Sequence, residues 1–128
     1  MSITVLWDDE AKTVLRLDFQ LPVSWKDLEV AGDEIVVLAK ASDYRIDMII
    51  NAGETPMPPG SPVPHLKRLF KVLPSNIGLV VNVVTNLFAR AMVSAIGPLQ
   101  FGNKFRAIQT LEEARQLIVV SRMKAASD

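Results

Sequence analysis

The 128-residue sequence contains no cysteine and a single histidine, His65. The first absence excludes a disulfide framework and thiol chemistry and fits a reducing compartment. The second excludes any multi-histidine metal site. Net charge is absent too: fourteen acidic and fourteen basic side chains cancel, so no global field points to nucleic acid or to an anionic membrane surface. The opening residues MSITVLWDDE have neither the basic start nor the long apolar run of a signal peptide, so a cytoplasmic location is expected. There is no P-loop, no Gly-x-Gly-x-x-Gly and no metal-ligand spacing, and no cofactor is expected.

What the sequence has in excess is apolar surface. Hydrophobic residues make up 49% of it and the mean hydropathy is +0.24, high for a small monomer, and coverage by a partner or a second copy would account for this. The length suits one domain, residues 1–128. Charge is unevenly spread: residues 1–54 hold eleven acids and five bases, residues 55–128 three acids and nine bases. If those halves occupy different faces, the folded chain carries a dipole.

The greasiest stretch, Ile77 to Leu99, lies in a span from Lys71 to Lys104 in which Arg90 is the only internal charge. It is long enough for a membrane span, yet its pattern argues otherwise. Ile77–Thr85 is rich in β-branched residues, as in a strand buried on both faces. Asn86 is a good N-cap, ten helix-compatible residues follow, and Gly97-Pro98 reads as a helix stop. A core strand, a tight turn and a very apolar helix are expected, and no transmembrane segment.

Ile3–Trp7 and Thr13–Phe19 read as a hairpin. Ser24–Lys40 is an amphipathic helix with a Ser24/Asp27 capping box and with Gly32 on its buried side, allowing close approach to the sheet. Tyr44–Asn51 is a strand. Residues 52–64 hold five prolines and two glycines, which predicts a long irregular loop. A helix from Pro64 or His65 to Leu73 carries Lys67, Arg68 and Lys71 opposite its apolar face. Lys104–Gln109 is a last strand, and Thr110 with Glu113 caps a helix from Leu111 to about Ala125, leaving a short tail at 125–128. Gly53, Gly60, Gly78, Gly97 and Gly102 each read as a turn or helix-stop glycine. The order β-β-α-β-α-β-α-β-α implies an α/β fold with a mixed sheet, parallel in its later strands.

That element order, the GLVVNVVTN strand and the Thr-capped LEEARQLI helix resemble the STAS domain, the fold of bacterial anti-sigma factor antagonists, over almost the whole chain. The likeness is to the branch with sporulation-antagonist-like and Sec14-like relatives. It implies a single STAS-like domain acting as a regulatory, protein-binding module. Switching members of the family carry a phosphorylated Asp-Ser-Ser-Gly segment at the second helix. Here the corresponding MIINAGETPMPPGSPVPHL has only Ser61, followed by Pro62 and Pro64, which remove N–H groups a phosphate would use. Control by phosphorylation is therefore not expected at Ser61.

His65 reads as a partly buried residue at a helix start, and a Ser61–His65 nucleophile and base would lack a marked orienting acid and oxyanion hole. Asp8, Asp9 and Glu10 read as solvated turn residues. Because α/β sheets bind ligands beyond the carboxyl ends of parallel strands, Asn51, Thr55, Ser61, His65, Thr85, Asn86 and Thr110 are candidates for a small-ligand or phosphate site. Asn86 and Thr110 also read simply as helix caps. The third helix is apolar over about twice the arc that one sheet face requires. Phe88, Met92, Val93 and Ile96 there, with Val119, Val120 and Met123 of the last helix, are expected to meet a protein partner or a second copy. The leading expectation is thus a non-catalytic interaction domain working as a homodimer or with a protein partner. The alternative is a small-ligand or lipid-binding module, suggested also by the apolar loop around Met57. An enzyme built on Ser61 or His65 ranks third.

Overall fold

The computed structural model describes residues 2–56 and 58–127; Met57 lies outside them. The chain is an α/β fold in the expected order. Strands β1 (Ile3–Trp7), β2 (Val14–Phe19), β3 (Ile46–Gly53), β4 (Ile77–Val84) and β5 (Phe105–Ile108) alternate, after the hairpin, with helices α1 (Trp25–Lys40), α2 (Val63–Val72), α3 (Leu87–Phe101) and α4 (Leu111–Ser127). The five strands lie in sequence order, β1 antiparallel to β2 and all others parallel. No helix among the described residues is long and apolar enough to cross a membrane. The greasy stretch divides into β4 and α3, as its β-branched first half and its Asn86 cap require; Asn86 Oδ1 accepts from the Ala89 N–H at 2.9 Å.

The period of two along each strand sorts side chains onto two faces. One face carries Leu15, Leu17, Met48, Ile50, Val80 and Phe105 and is covered by α1, α2 and the end of α3 through Leu28, Ile35, Leu69 and Phe101. The other carries Val14, Ile49, Leu79, Val81 and Val83, against Ala114 and Ile118 of α4 alone. Ser24 and Asp27 close the capping box that sets the start of α1. Gly32 is buried, but what it admits is Leu69 of α2 rather than the sheet; a Cβ there would sit 2.9 Å from Leu69 Cδ1.

Several boundaries differ from those expected. The irregular loop shortens to 54–62, because Ala52 and Gly53 extend β3, and Val63 and Pro64 form the first turn of α2, where a missing proline N–H costs nothing. The tail at 125–128 is helical through Ser127. Gly97-Pro98 does not stop α3, which continues to Phe101 and ends at Gly102, a residue with φ +62°. Gly97 serves packing instead: it is buried, and a Cβ there would run into the Phe105 ring. Pro98 deprives only one carbonyl of a partner, that of exposed Ser94, which water can reach. Gly78 likewise lies inside β4, where a Cβ would collide with Arg45.

That collision marks a buried polar anchor. Between Ile46/Ile77 and Met48/Val80 the β3–β4 register advances two residues against three, a bulge. Asp47, fully buried there, accepts the Leu79 N–H at 2.6 Å and is flanked by Arg45 at 3.0 Å and by Arg122 of α4 at 2.7 Å. Arg122 also donates to the Thr13 carbonyl and hydroxyl. One turn-pair earlier on the same helix face, Arg115 grips Asp8 with two hydrogen bonds, at 3.0 and 2.8 Å. Part of the uneven charge of the two halves goes into pairing between them, as Asp8–Arg115, Asp47–Arg122 and Glu29–Arg68.

Candidate functional site: an apolar cleft and an apolar helix face

The hairpin acids are structural. Asp8 is not a solvated turn residue: its side chain is 5% exposed and paired with Arg16 and Arg115. The Arg115 guanidinium, aided by Arg16, holds its carboxyl below the ordinary value near 3.8. Asp9 orders the turn by accepting from the Thr13 and Val14 N–H groups and the Thr13 hydroxyl. Burial pushes its pKa up, but these bonds outweigh that and lower it. Asp18 is lowered in the same balance, against burial, by Arg16 and Asn51. Only Glu10 of the three hairpin acids is exposed. Carboxylates with depressed native pKa values stabilise the fold above the unfolded-state value and lose that contribution as pH falls through the native one. The midpoint of thermal unfolding should therefore drop progressively below about pH 5. Arg115→Ala should flatten that slope in part, since Asp8 keeps only Arg16; an unchanged slope would show that Arg115 does not contribute to holding Asp8 ionised.

On the opposite face, at the carboxyl ends of β3 and β4, lies an apolar cavity of about 110 Å³. Its floor is Ile50, Asn82, Val84 and Phe105 of the sheet, its roof Ala89, Val93, Ile96 and Phe101 of α3. Thr55, Pro56, Pro58 and Pro62 of the loop close the side, beside Trp25 and Leu66. Trp25 fixes the loop by donating its indole N–H to the Pro59 carbonyl at 2.8 Å, while His65 stacks on its ring at 4.5 Å. The β4 end is fixed by Arg90, which donates to the Val84 carbonyl at 3.0 Å. Asn82 Oδ1 is buried with no hydrogen-bond partner among the described residues, an omission that costs about 1–3 kcal/mol.

A cavity does lie at the strand ends that the rule points to, but of the seven polar candidates only Thr55 lines it. Asn51 is engaged with Asp18, Asn86 caps α3, and Thr110 caps α4 by accepting the Glu113 N–H. Thr85 and Ser61 are exposed, and His65 is the half-buried helix-start residue expected, held in its stack. Among the described residues no hydrogen bond joins Ser61 to His65 or His65 to a carboxylate. Among the described residues no group of three histidine or carboxylate side chains gathers as a metal would need. The polar residue that does face the cavity, Asn82, was legible only as the one polar residue within Ile77–Val84.

The apolar candidates separate into three sets. Val93 and Ile96 do not belong to an outer surface: in phase with Gly97 and Phe101, they turn under α3 into the cavity. Phe88 and Met92 face outward with Leu87 and Leu99, these four being 75%, 38%, 72% and 76% exposed. Val119, Val120 and Met123 are exposed as well, but α4 lies across the sheet from α3, so they form a separate patch. No protein-family model, no curated protein and no solved structure matches the chain.

Proposed function

We propose that the chain is a non-catalytic, cytoplasmic regulatory domain resembling the STAS-type anti-sigma factor antagonists, and that it acts by docking a protein partner or a second copy on the outer face of α3. One observation carries this reading: Leu87, Phe88, Met92 and Leu99 stand exposed on a helix whose opposite face already packs on the sheet and cavity. Large apolar side chains contiguous on a surface are expensive to leave in water and mark contact sites. A double variant, Phe88→Asp with Leu99→Asp, tests it. Because both side chains are exposed, the variant should keep its denaturation midpoint. It should also abolish concentration-dependent association in sedimentation, or specific capture of a partner. A monomer at every concentration, with partner capture indifferent to the double variant, would contradict the reading. The alternative, a small-ligand module, draws support from the apolar cavity beneath the proline loop.

A further inference from the structure

We infer that the polar cleft at the amino ends of β4 and β5 is a binding site for the phosphate group of a small phosphomonoester. The cleft lies at the opposite end of the sheet from the apolar cavity, and it exists because two neighbouring strands are unequal. β5 has four residues against eight in β4, and its first pairing sets Phe105 beside Val80. Ile77, Gly78 and Leu79 therefore have no strand beside them on that edge. Lys104 reaches across instead, donating from Nζ to the Ile77 carbonyl at 3.3 Å. Arg45 lies against Gly78, where a Cβ would collide with it, and donates from Nη2 to Ser121 Oγ of α4 at 3.0 Å. The result is an open cleft of about 490 Å³, with Ser75, Asn103 and Arg106 also in its described wall.

Charge selects an anion. Arg45, Lys104 and Arg106 line the cleft against one carboxylate, that of exposed Asp43. Behind them, buried Asp47 is shared between Arg45 and Arg122, so four cations face two carboxylates. Neither Lys104 nor Arg106 joins an ion pair among the described residues; both donate only to main-chain carbonyls. The excess of two positive charges matches a phosphomonoester, which carries about −1.5 to −2 near neutral pH. Donor supply points the same way. Lys104 Nζ gives one of its three N–H groups, Arg106 gives Nη1 and keeps Nε and Nη2, and the Ser121 hydroxyl accepts from Arg45 and keeps its proton. A phosphomonoester brings three strong acceptor oxygens to these donors, whereas a carboxylate brings two and a single charge. The cleft is open, and the half-exposed ring of Tyr44 on its wall leaves a surface for the ester's body.

The experiment titrates phenyl phosphate and benzoate at constant ionic strength and follows backbone amide shifts at 75–79 and 121. Phenyl phosphate should bind the unmodified protein about fivefold more tightly than benzoate, as one further charge at a solvated site implies. Lys104→Gln and Arg106→Gln should each weaken phenyl phosphate about fivefold. Both side chains are exposed, so both variants should keep their denaturation midpoint. Lys67→Gln, an exposed cation of α2 outside the cleft, should change nothing. Vesicles of phosphatidylcholine with phosphatidate that sediment with the protein through Lys104 would place the phosphate on a lipid headgroup. Phenyl phosphate bound without such sedimentation places it on a free small molecule. Equal binding of phenyl phosphate and benzoate would overturn the phosphomonoester class. Equal weakening by Lys67→Gln and Lys104→Gln, or no shift at 75–79 and 121, would overturn the site. The comparison on the unmodified protein decides the class without any variant.

Discussion

Asp47→Ala is expected to lower the unfolding free energy by about 3 kcal/mol, the lower end of the cost of breaking a buried ion pair. The carboxylate is fully buried and accepts from Arg45, Arg122 and the Leu79 N–H at once. The two arginines are about one-third exposed and can recover hydration, which keeps the loss from being larger. The Leu79 N–H cannot, because the bulge has taken it out of reach of a ladder partner. Asp47→Asn, which preserves an acceptor for that N–H, should cost visibly less. Urea titration measures both. The mechanism carries a local signature: amide exchange should accelerate in α4, since Arg122, with Arg115 and the Ser121–Arg45 bond, ties that helix to the sheet. A loss confined to β3 and β4 would mean that Ala114, Ile118 and the Arg115–Asp8 pair hold the helix without Arg122.

Phe101→Ala should cost about 3–5 kcal/mol, as burial of a large aromatic implies. Its ring is 4% exposed, meets Phe70 edge-on at 5.5 Å and stacks on Phe105 at 5.8 Å. Removing it enlarges the cavity rather than collapsing it, because α3 is fixed above by the Gly97–Phe105 contact and below by Asn86 and Arg90. Added benzene should then restore part of the lost thermal stability, by binding the folded state alone. Loss without rescue would show that the helix sinks to fill the gap.

The fold was legible because its signals are periodic and local. The alternation in Leu15, Leu17 and Phe19, the apolar arc of α1 and the caps at Ser24, Asn86 and Thr110 each depend on neighbours within a few residues. Apart from shifted element ends, the misreadings involve residues whose role is set from afar. Gly97 looks like a helix stop until Phe105 is placed against it. Asp47 draws no reading at all, since its partner Arg122 lies 75 residues on. Asp8 looks solvated until Arg115, 107 residues away, reaches it. For the candidate site, the strand-end rule pointed to the end of the sheet where a cavity lies, but which polar residue lined it depended on the pleat of β4, which puts Asn82 beside Val80 and Val84 on the helix-covered face. Likewise Met92 and Val93 are adjacent in sequence, and only the phase of α3 sends one outward and the other into the cavity.

The docking proposal is tested most directly by a photo-crosslinking side chain installed in place of Phe88, with the same group in place of Val37 as control. Both positions are highly exposed, at 75% and 69%, on different helices. Irradiation in the native cell should give one discrete adduct from position 88, whose mass is that of a second copy or of a single other protein, and none from position 37. A smear, or equal yields from the two positions, would contradict a partner surface on the outer face of α3.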